Sequence, residues 1–396
     1  MNQYSGCAAG QFSPQAVRAT LVLVSDPAFI AARAQFPSAE TAIHLDHASV
    51  GPISLRVAEA MQKNAAKHAG NGFDPVWRDD IERVRAQVAW LIGSQPANIA
   101  FVQNTSFGIS IAANGIDWQP GDNLVIPARE FPSNYYPWLN LAVRGVELRT
   151  VAAPDGHSSI DAIAAAIDDR TRAVTVSAVQ YSNGHRYDLT ALGQLCRERE
   201  VVFVVDGTQA VGALKIDVDT SAIDVLAVSS HKWMLGPPGI GFVHLSNRAL
   251  DVIRPSVVGW LSVAHPFAFD YRLELPPSAK RFEPGTENVI GTVGLGATIS
   301  LLQDFGPDWV EQRVLHLTDH ICEGVTTRGF EIQSPRGGGH ASGIVIFSKP
   351  GIDPDRLHAR LAAAGVKCAV RAGGIRFSPH YYNTIDEIDT AIAALD

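Results

Sequence analysis

Sulfur is scarce in this chain: its 396 residues include 4 cysteines and 3 methionines. Cys7, Cys196, Cys322 and Cys368 are scattered, with no CxxC spacing. That spacing excludes a cysteine zinc site and a disulfide framework, and it suits a reducing compartment. Surplus positive charge is also missing. The 40 acidic residues outnumber the 32 Lys and Arg, for a net charge of −8. Neither nucleic acid nor an anionic membrane is therefore an expected partner. No apolar run approaches the roughly 18 residues of a membrane-spanning helix. The first residues carry no basic cluster, and the apolar stretch at 19–24 is short for a secretory signal, so a cytoplasmic location is the expectation. Internal repeats and low-complexity tracts are absent too.

What the chain does have is a regular alternation. Short apolar runs at 123–126, 147–151, 173–178, 201–205, 224–228 and 240–245 read as strands. Helical patterns at 159–167 and 189–199 lie between them. Strand–helix alternation predicts βαβ units and a mostly parallel sheet, and continuously apolar strands mean both sheet faces are covered. Beyond residue 290 the texture changes to two long helical stretches, 292–305 and 308–327, then short strands at 330–333, 343–347 and 366–370 and helices at 354–364 and from 385. The expected class is α/β with three parts. An N-terminal arm over 1–45 packs on the small domain, a large domain spans 46–290, and a smaller α+β domain spans 291–396. A chain of this length can bury two cores.

The most telling stretch is Ser229, Ser230, His231, Lys232, Trp233, followed by a Gly/Pro-rich turn. Lys232 directly follows the apolar run 224–228, and the run 201–205 ends in Asp206. A lone lysine after a strand is ordinarily a surface residue. A lysine and an acid at the ends of two buried strands, however, suit pyridoxal phosphate, which takes a lysine for its Schiff base and a carboxylate opposite its pyridinium nitrogen. Thr105 and Ser106 open a helical pattern, where free N–H groups and hydroxyls make either a plain N-cap or a phosphate cup. Gln209, about one helical turn from Asp206, is placed to donate to the ring's phenolic oxygen. Phe131 is placed to stack on the pyridine ring, although ordinary core is the plainer reading. Asn183, in the segment after the strand at 173–178, is expected to reach the cofactor or a substrate carboxylate. His185 and Arg186 read equally well as solvated residues. Arg376 is either a surface ion-pair residue or a bidentate fork for a substrate carboxylate.

Together these motifs resemble the class V aminotransferase family, the branch of fold-type I pyridoxal phosphate enzymes that includes cysteine desulfurases, selenocysteine lyases and isopenicillin N epimerase-like proteins. The resemblance runs from Leu45–Gly51 to Tyr382–Thr384 and is strongest at Val205–Ala210, Ser229–Lys232, Arg281–Asn288 and Arg376. It implies that Lys232 forms the Schiff base, that Asp206 pairs with the pyridinium and that Gln209 donates to O3′. It implies Thr105, Ser106, Ser229 and His231 as phosphate ligands, and Arg376 as the carboxylate anchor. Thr286 matches a residue that reaches the phosphate of a neighbouring subunit, which implies a homodimer with shared active sites. Phe131 replaces the family's ring-stacking histidine. The segment from Gly365 to Arg376 is too short for the desulfurase cysteine loop, and Cys368 falls in a strand pattern.

The expectation is therefore a pyridoxal phosphate enzyme acting on a small amino acid. Transamination comes first, with thiol-independent β-elimination or epimerisation as the alternative. A binding or regulatory homologue that has lost catalysis is the reading from another class. No role is assigned from sequence to His47, His185, Arg186, Arg371 or His380.

Overall fold

The computed structural model describes residues 27–71, 77–154 and 156–396. Most of the expected N-terminal arm, including Cys7, lies outside the described residues. Strand β1 (Ile43–His44) is followed by the seven strands of the large sheet. These are β2 (Ile99–Val102), β3 (Asn123–Pro127), β4 (Glu147–Val151), β5 (Thr171–Ser177), β6 (Val202–Asp206), β7 (Val225–Ser229) and β8 (Gly241–Leu245). Their order across the sheet is β2-β8-β7-β6-β5-β3-β4. The run from β4 to β7 is parallel, and β8 runs antiparallel to both β7 and β2. Five of these strands match the sequence reading closely and β8 matches within a residue. β2, tucked between the helix Trp77–Leu91 and the helix Thr105–Gly115, was not anticipated.

Alternation along each strand fills two separate cores. Phe203, Val205, Leu226 and Val228 face one side, and Val202, Val204, Val225 and Ala227 face the other. β-branched residues dominate because both faces of these strands are covered, which suits stiff side chains on a pleated surface. The first core is roofed by residues of helices Trp77–Leu91, Leu189–Glu198 and Val289–Phe305, and the second by the helix Thr105–Gly115 and Trp138.

A buried ion pair ties β2 to the segment before Val289. Arg85 donates to both carboxylate oxygens of Glu283 at 2.7 and 3.0 Å, and the same carboxylate accepts from the Phe101 N–H. With the Ile99 carbonyl also bonded to Arg85, the charges are well matched by hydrogen bonds.

The C-terminal part holds β9 (Glu331–Ile332), β10 (Val345–Ser348), β11 (Val366–Lys367), β12 (Ala369–Arg371) and β13 (Gly374–Phe377). Four of them form a sheet in the order β12-β13-β10-β9. β11 pairs instead with β1, so the segment at 43–44 joins this end of the chain. The run 366–370, expected as one strand, is broken in two at Cys368 because its halves pair with different partners. Helix Val289–Phe305 packs on helices Leu55–Asn71 and Trp77–Leu91, and helix Pro307–Thr326 continues onto the C-terminal helix Ile385–Ala393. Among the described residues no single helix is long and apolar enough to cross a membrane.

Candidate active site

Ser177, Asp206 and Ser229 end three neighbouring strands, β5, β6 and β7, at the same edge of the sheet. This is the carboxyl edge where open α/β sheets bind ligands. A cavity of about 460 Å³ lies there, lined by Thr105, Ser106, Phe131, Asp206, Gln209, Ser229, His231, Lys232 and Arg376. Nine of the eleven sequence-predicted site residues are thus brought to one place. Ala48, Ser49, Asn104, Ser133, Ser177, Tyr181, Thr208 and Arg371 complete the wall.

One end of the cavity is built for an anion. Helix Thr105–Gly115 points its N-terminus at it, with Asn104 as N-cap accepting from the Phe107 N–H. Thr105 donates its N–H to Ser229 Oγ at 2.9 Å, and its hydroxyl bonds both Ser229 Oγ and Thr208 Oγ1. Ser106 Oγ donates to Ser133 Oγ at 2.9 Å. A cluster of hydroxyls around a helix start combines rotatable donors with the positive end of the helix dipole. His231 is half-buried beside it, and burial holds its imidazole below the ordinary range, with the Lys232 charge adding to the effect.

The other end holds the lysine and the acid. Lys232 follows β7 in the turn that leads to β8. Gly51 packs directly on that turn: its N–H donates to the His231 carbonyl, and a Cβ at 51 would lie 2.5 Å from the Lys232 carbonyl. Only glycine admits so close a backbone approach. Burial lowers the Lys232 ammonium from its usual pKa, against the opposing pull of Asp206. Asp206 is buried, and desolvation pushes its carboxyl up while bonds from Thr208 and the charge of Lys232 pull it down. A ring cation against that carboxylate would favour its ionised form. Gln209 is held by Trp233 Nε1 at 2.8 Å and donates to the Ala48 carbonyl at 3.0 Å, which leaves its second amide hydrogen for the cavity.

Arg376 is buried on β13. Its Nη2 donates to Asp46 Oδ1 at 2.9 Å and to Ser49 Oγ at 2.6 Å, while its buried Nε has no hydrogen-bond partner. A buried, half-paired guanidinium at a cavity wall is a site for a further anion.

Asn183 corrects the sequence reading. It does not line the cavity. Its Nδ2 donates to the Gly156 carbonyl at 2.9 Å and its Oδ1 accepts from the His185 N–H, so it staples a turn. The chain doubles back there, with Gly184 at φ 76° donating its N–H to the Gln180 carbonyl. The turn puts Tyr181 on the cavity instead, in edge-to-face contact with Phe131 at 5.1 Å between ring centroids. Thr286 is exposed and is not among the residues lining this chain's cavity. Arg186 is committed to an ion pair with Glu311, and His185 is buried against His157 and His340. His47 and His380 lie behind the site, bonded to Tyr382 and to the Trp233 carbonyl respectively. In a larger cleft of about 710 Å³ nearby, Arg186 and Lys215 are engaged in ion pairs with Glu311 and Asp308.

No described cysteine reaches the cavity. Cys368 and Cys196 are buried, and burial pushes their thiols up to about 12; Cys322 is pushed to about 11. The strands flanking Cys368 and Arg376 are joined by a tight hairpin at Ala372 and Gly373, both at positive φ, with no space for a mobile loop.

The family model of the class V aminotransferases matches residues 43–390. The chain belongs to the class V aminotransferase family. It is 31% identical over 383 residues to a probable cysteine desulfurase of Methanothermobacter thermautotrophicus, covering 90% of this chain and 94% of that one. It is 28% identical to the isopenicillin N epimerase of Streptomyces clavuligerus, over 90% of this chain and 94% of the relative. The apo structure of a cysteine desulfurase from Thermococcus onnurineus superposes with a TM-score of 0.81 at 25% identity, covering 98% of both chains. Class V aminotransferases are pyridoxal phosphate enzymes, and the donor set here fits that cofactor. The orphaned Arg376 Nε, the hydroxyl-lined helix start and the buried carboxyl of Asp206 supply, in one cavity, sites for two anions and a ring cation.

Proposed function

We propose that this class V enzyme is an aminotransferase for a small amino acid, and that it works without a protein thiol. The observation that carries this reading is that Cys368 is buried just before a tight β12–β13 hairpin and outside the cavity, while the cavity keeps its lysine, acid and arginine. A persulfide-forming enzyme needs an exposed thiolate with a lowered pKa, the opposite environment.

Pyridoxal phosphate supplies an electron sink for the electrons left at Cα when a substrate proton is removed. The residues of this chain do the rest. Thr105, Ser106, Ser229 and His231 hold the phosphate. Asp206 keeps the ring nitrogen protonated, Gln209 donates to the phenolic oxygen, and Phe131 with Tyr181 bounds the ring. Arg376 orients the substrate carboxylate, which fixes the Cα–H bond relative to Lys232. Lys232 would serve as the general base for the α-proton. Its lowered pKa brings it closer to the operating pH, where a base is most effective. Lys232 is also the residue that would carry that proton onward, which a transamination requires.

Epimerisation or thiol-independent β-elimination is the second reading, and the similarity to an isopenicillin N epimerase favours its epimerisation branch. Incubation with a panel of amino acids and a keto-acid acceptor separates the two. Keto-acid formation matched by loss of the donor is expected. Interconversion of enantiomers, or release of pyruvate and ammonia without an acceptor, would replace this reading with the second.

We further propose that two copies assemble with Thr286 of each chain turned towards the phosphate site of its partner. Its exposure, just before helix Val289–Phe305, leaves it available to another chain.

A further inference from the structure

Glu130 is a buried carboxyl that the reading above does not use. It lies at the C-terminal edge of β5, directly before Phe131. Four groups converge on it. Its Oε1 accepts from the Ser177 N–H at 2.8 Å and from Gln180 Nε2 at 2.6 Å. Its Oε2 accepts from Ser177 Oγ at 2.5 Å and from Asn134 Nδ2 at 3.1 Å. Asn134 is itself anchored, accepting from Trp138 Nε1 and from Thr175 Oγ1 on β5.

These bonds join three pieces of the cavity wall. Glu130 and Asn134 bracket the segment carrying Phe131 and Ser133. Ser177 ends β5 and lines the cavity. Gln180 adjoins Tyr181. Ser177 is also the register partner of Asp206 on β6, so Glu130 sits one strand away from the acid that faces the cofactor.

We infer that Glu130 is a positioning residue of this site: it clamps the Phe131 segment to the Tyr181 turn, and it holds a second carboxyl beside Asp206 whose proton occupancy sets the charge behind the cofactor ring. The inference rests on the assignment of this cavity to pyridoxal phosphate.

The physics of the clamp is a contest. Four donors favour the carboxylate, whereas full burial and the neighbouring Asp206 favour the acid. Burial wins in part, and the carboxyl is pushed up to about 7. Asp206 on β6 and Tyr187, just after the turn, are the titratable groups that face it, and burial holds the Tyr187 phenol above its ordinary range. Below neutrality Glu130 carries a proton and Asp206 bears the local negative charge alone. Above neutrality Glu130 would add a second negative charge behind Asp206, which would hold a protonated ring nitrogen more firmly. The natural place for the proton is the short contact between Oε2 and Ser177 Oγ, whose hydroxyl then accepts instead of donating.

The test compares wild type with Glu130→Gln, Glu130→Asp and Ser177→Ala. In apoprotein, a carboxyl whose folded pKa lies above its unfolded value takes up protons on folding between the two. Wild type should therefore lose stability relative to Glu130→Gln as pH rises from about 5 to 7, by urea denaturation. In holoenzyme, the pH midpoint of the visible cofactor band should move in Glu130→Gln, and Glu130→Asp should restore an inflection near neutrality. Ser177→Ala removes one donor to the carboxylate, so that inflection should move to higher pH, which keeps the test open if Glu130→Gln does not fold. Wild-type and Ser177→Ala profiles that superimpose, or a stability difference that is flat with pH, would overturn the inference. Failure of the cofactor assignment would show separately, as absence of any visible band in wild type.

Discussion

Lys232 Nζ lies 5.0 Å from the centroid of the Phe131 ring. The Schiff-base candidate and the ring-stacking candidate therefore lie within cation–π range of one another at the same end of the cavity. Phe131 is 36% exposed, and its ring also meets Tyr181 edge to face. A phenyl ring there stacks but carries no proton, which leaves Lys232 as the cavity's clearest proton carrier.

Lys232 should carry the cofactor covalently. Borohydride reduction followed by peptide mapping is expected to find the pyridoxyl group on Lys232, and Lys232→Ala should lose the reducible adduct. An adduct on Lys215 or Lys280 would displace the assignment.

Asp206 should matter more for rate than for folding. Asp206→Asn keeps the shape of the side chain and removes the charge that holds the ring nitrogen protonated. A loss of about 3 kcal/mol of transition-state stabilisation, roughly 100-fold in kcat, is expected with cofactor still bound. Turnover equal to wild type would rule out the pairing.

Cys368→Ala should keep activity within a few-fold. The thiol is buried between two strands, and its loss should cost on the order of 1 kcal/mol in stability, from packing alone. Mass spectrometry after incubation with cysteine should show no persulfide on Cys368. A persulfide there, with loss of turnover in the variant, would return the chain to thiol chemistry.

Thr286→Ala should weaken cofactor retention without changing the spectrum of enzyme that remains loaded. Sedimentation of the holoenzyme is expected to show a dimer. A monomer that holds cofactor as tightly as the wild type would refute a shared site.

Acid should destabilise the folded chain through its buried imidazoles. Burial holds His47 well below its ordinary pKa and His380 and His244 at about 4. The unfolded chain binds those protons from about pH 6.5 downwards, so stability should fall as pH drops from there to about 4. A histidine kept neutral over that range contributes on the order of 3 kcal/mol. Denaturation midpoints at pH 7 and pH 5 check this. His380→Gln should flatten the slope, and an unchanged slope would exclude His380 as a source.

Local pattern was enough for much of the chain. The apolar runs ending at Asp206 and just before Lys232 announce strands buried on both faces, because only such strands stay apolar at every position. A lysine and an acid at their ends follow from the same reading, as does the hydroxyl pair Thr105 and Ser106 at a helix start. These features rest on neighbours a few residues apart, where period and capping chemistry are explicit. Asn183 lies off the cavity because the turn's direction depends on Gly184 and its carbonyl partner. Which of Tyr181 or Asn183 meets the cavity is settled by the fold around it. Asp46 and Arg376 meet across 330 residues, and Glu130 reaches Ser177 across 47. No periodicity encodes such pairs. Glu130 meets Ser177 because parallel strands bring their carboxyl ends to one edge of the large sheet, and Asp46 meets Arg376 because the segment after β1 runs beside the end of β13.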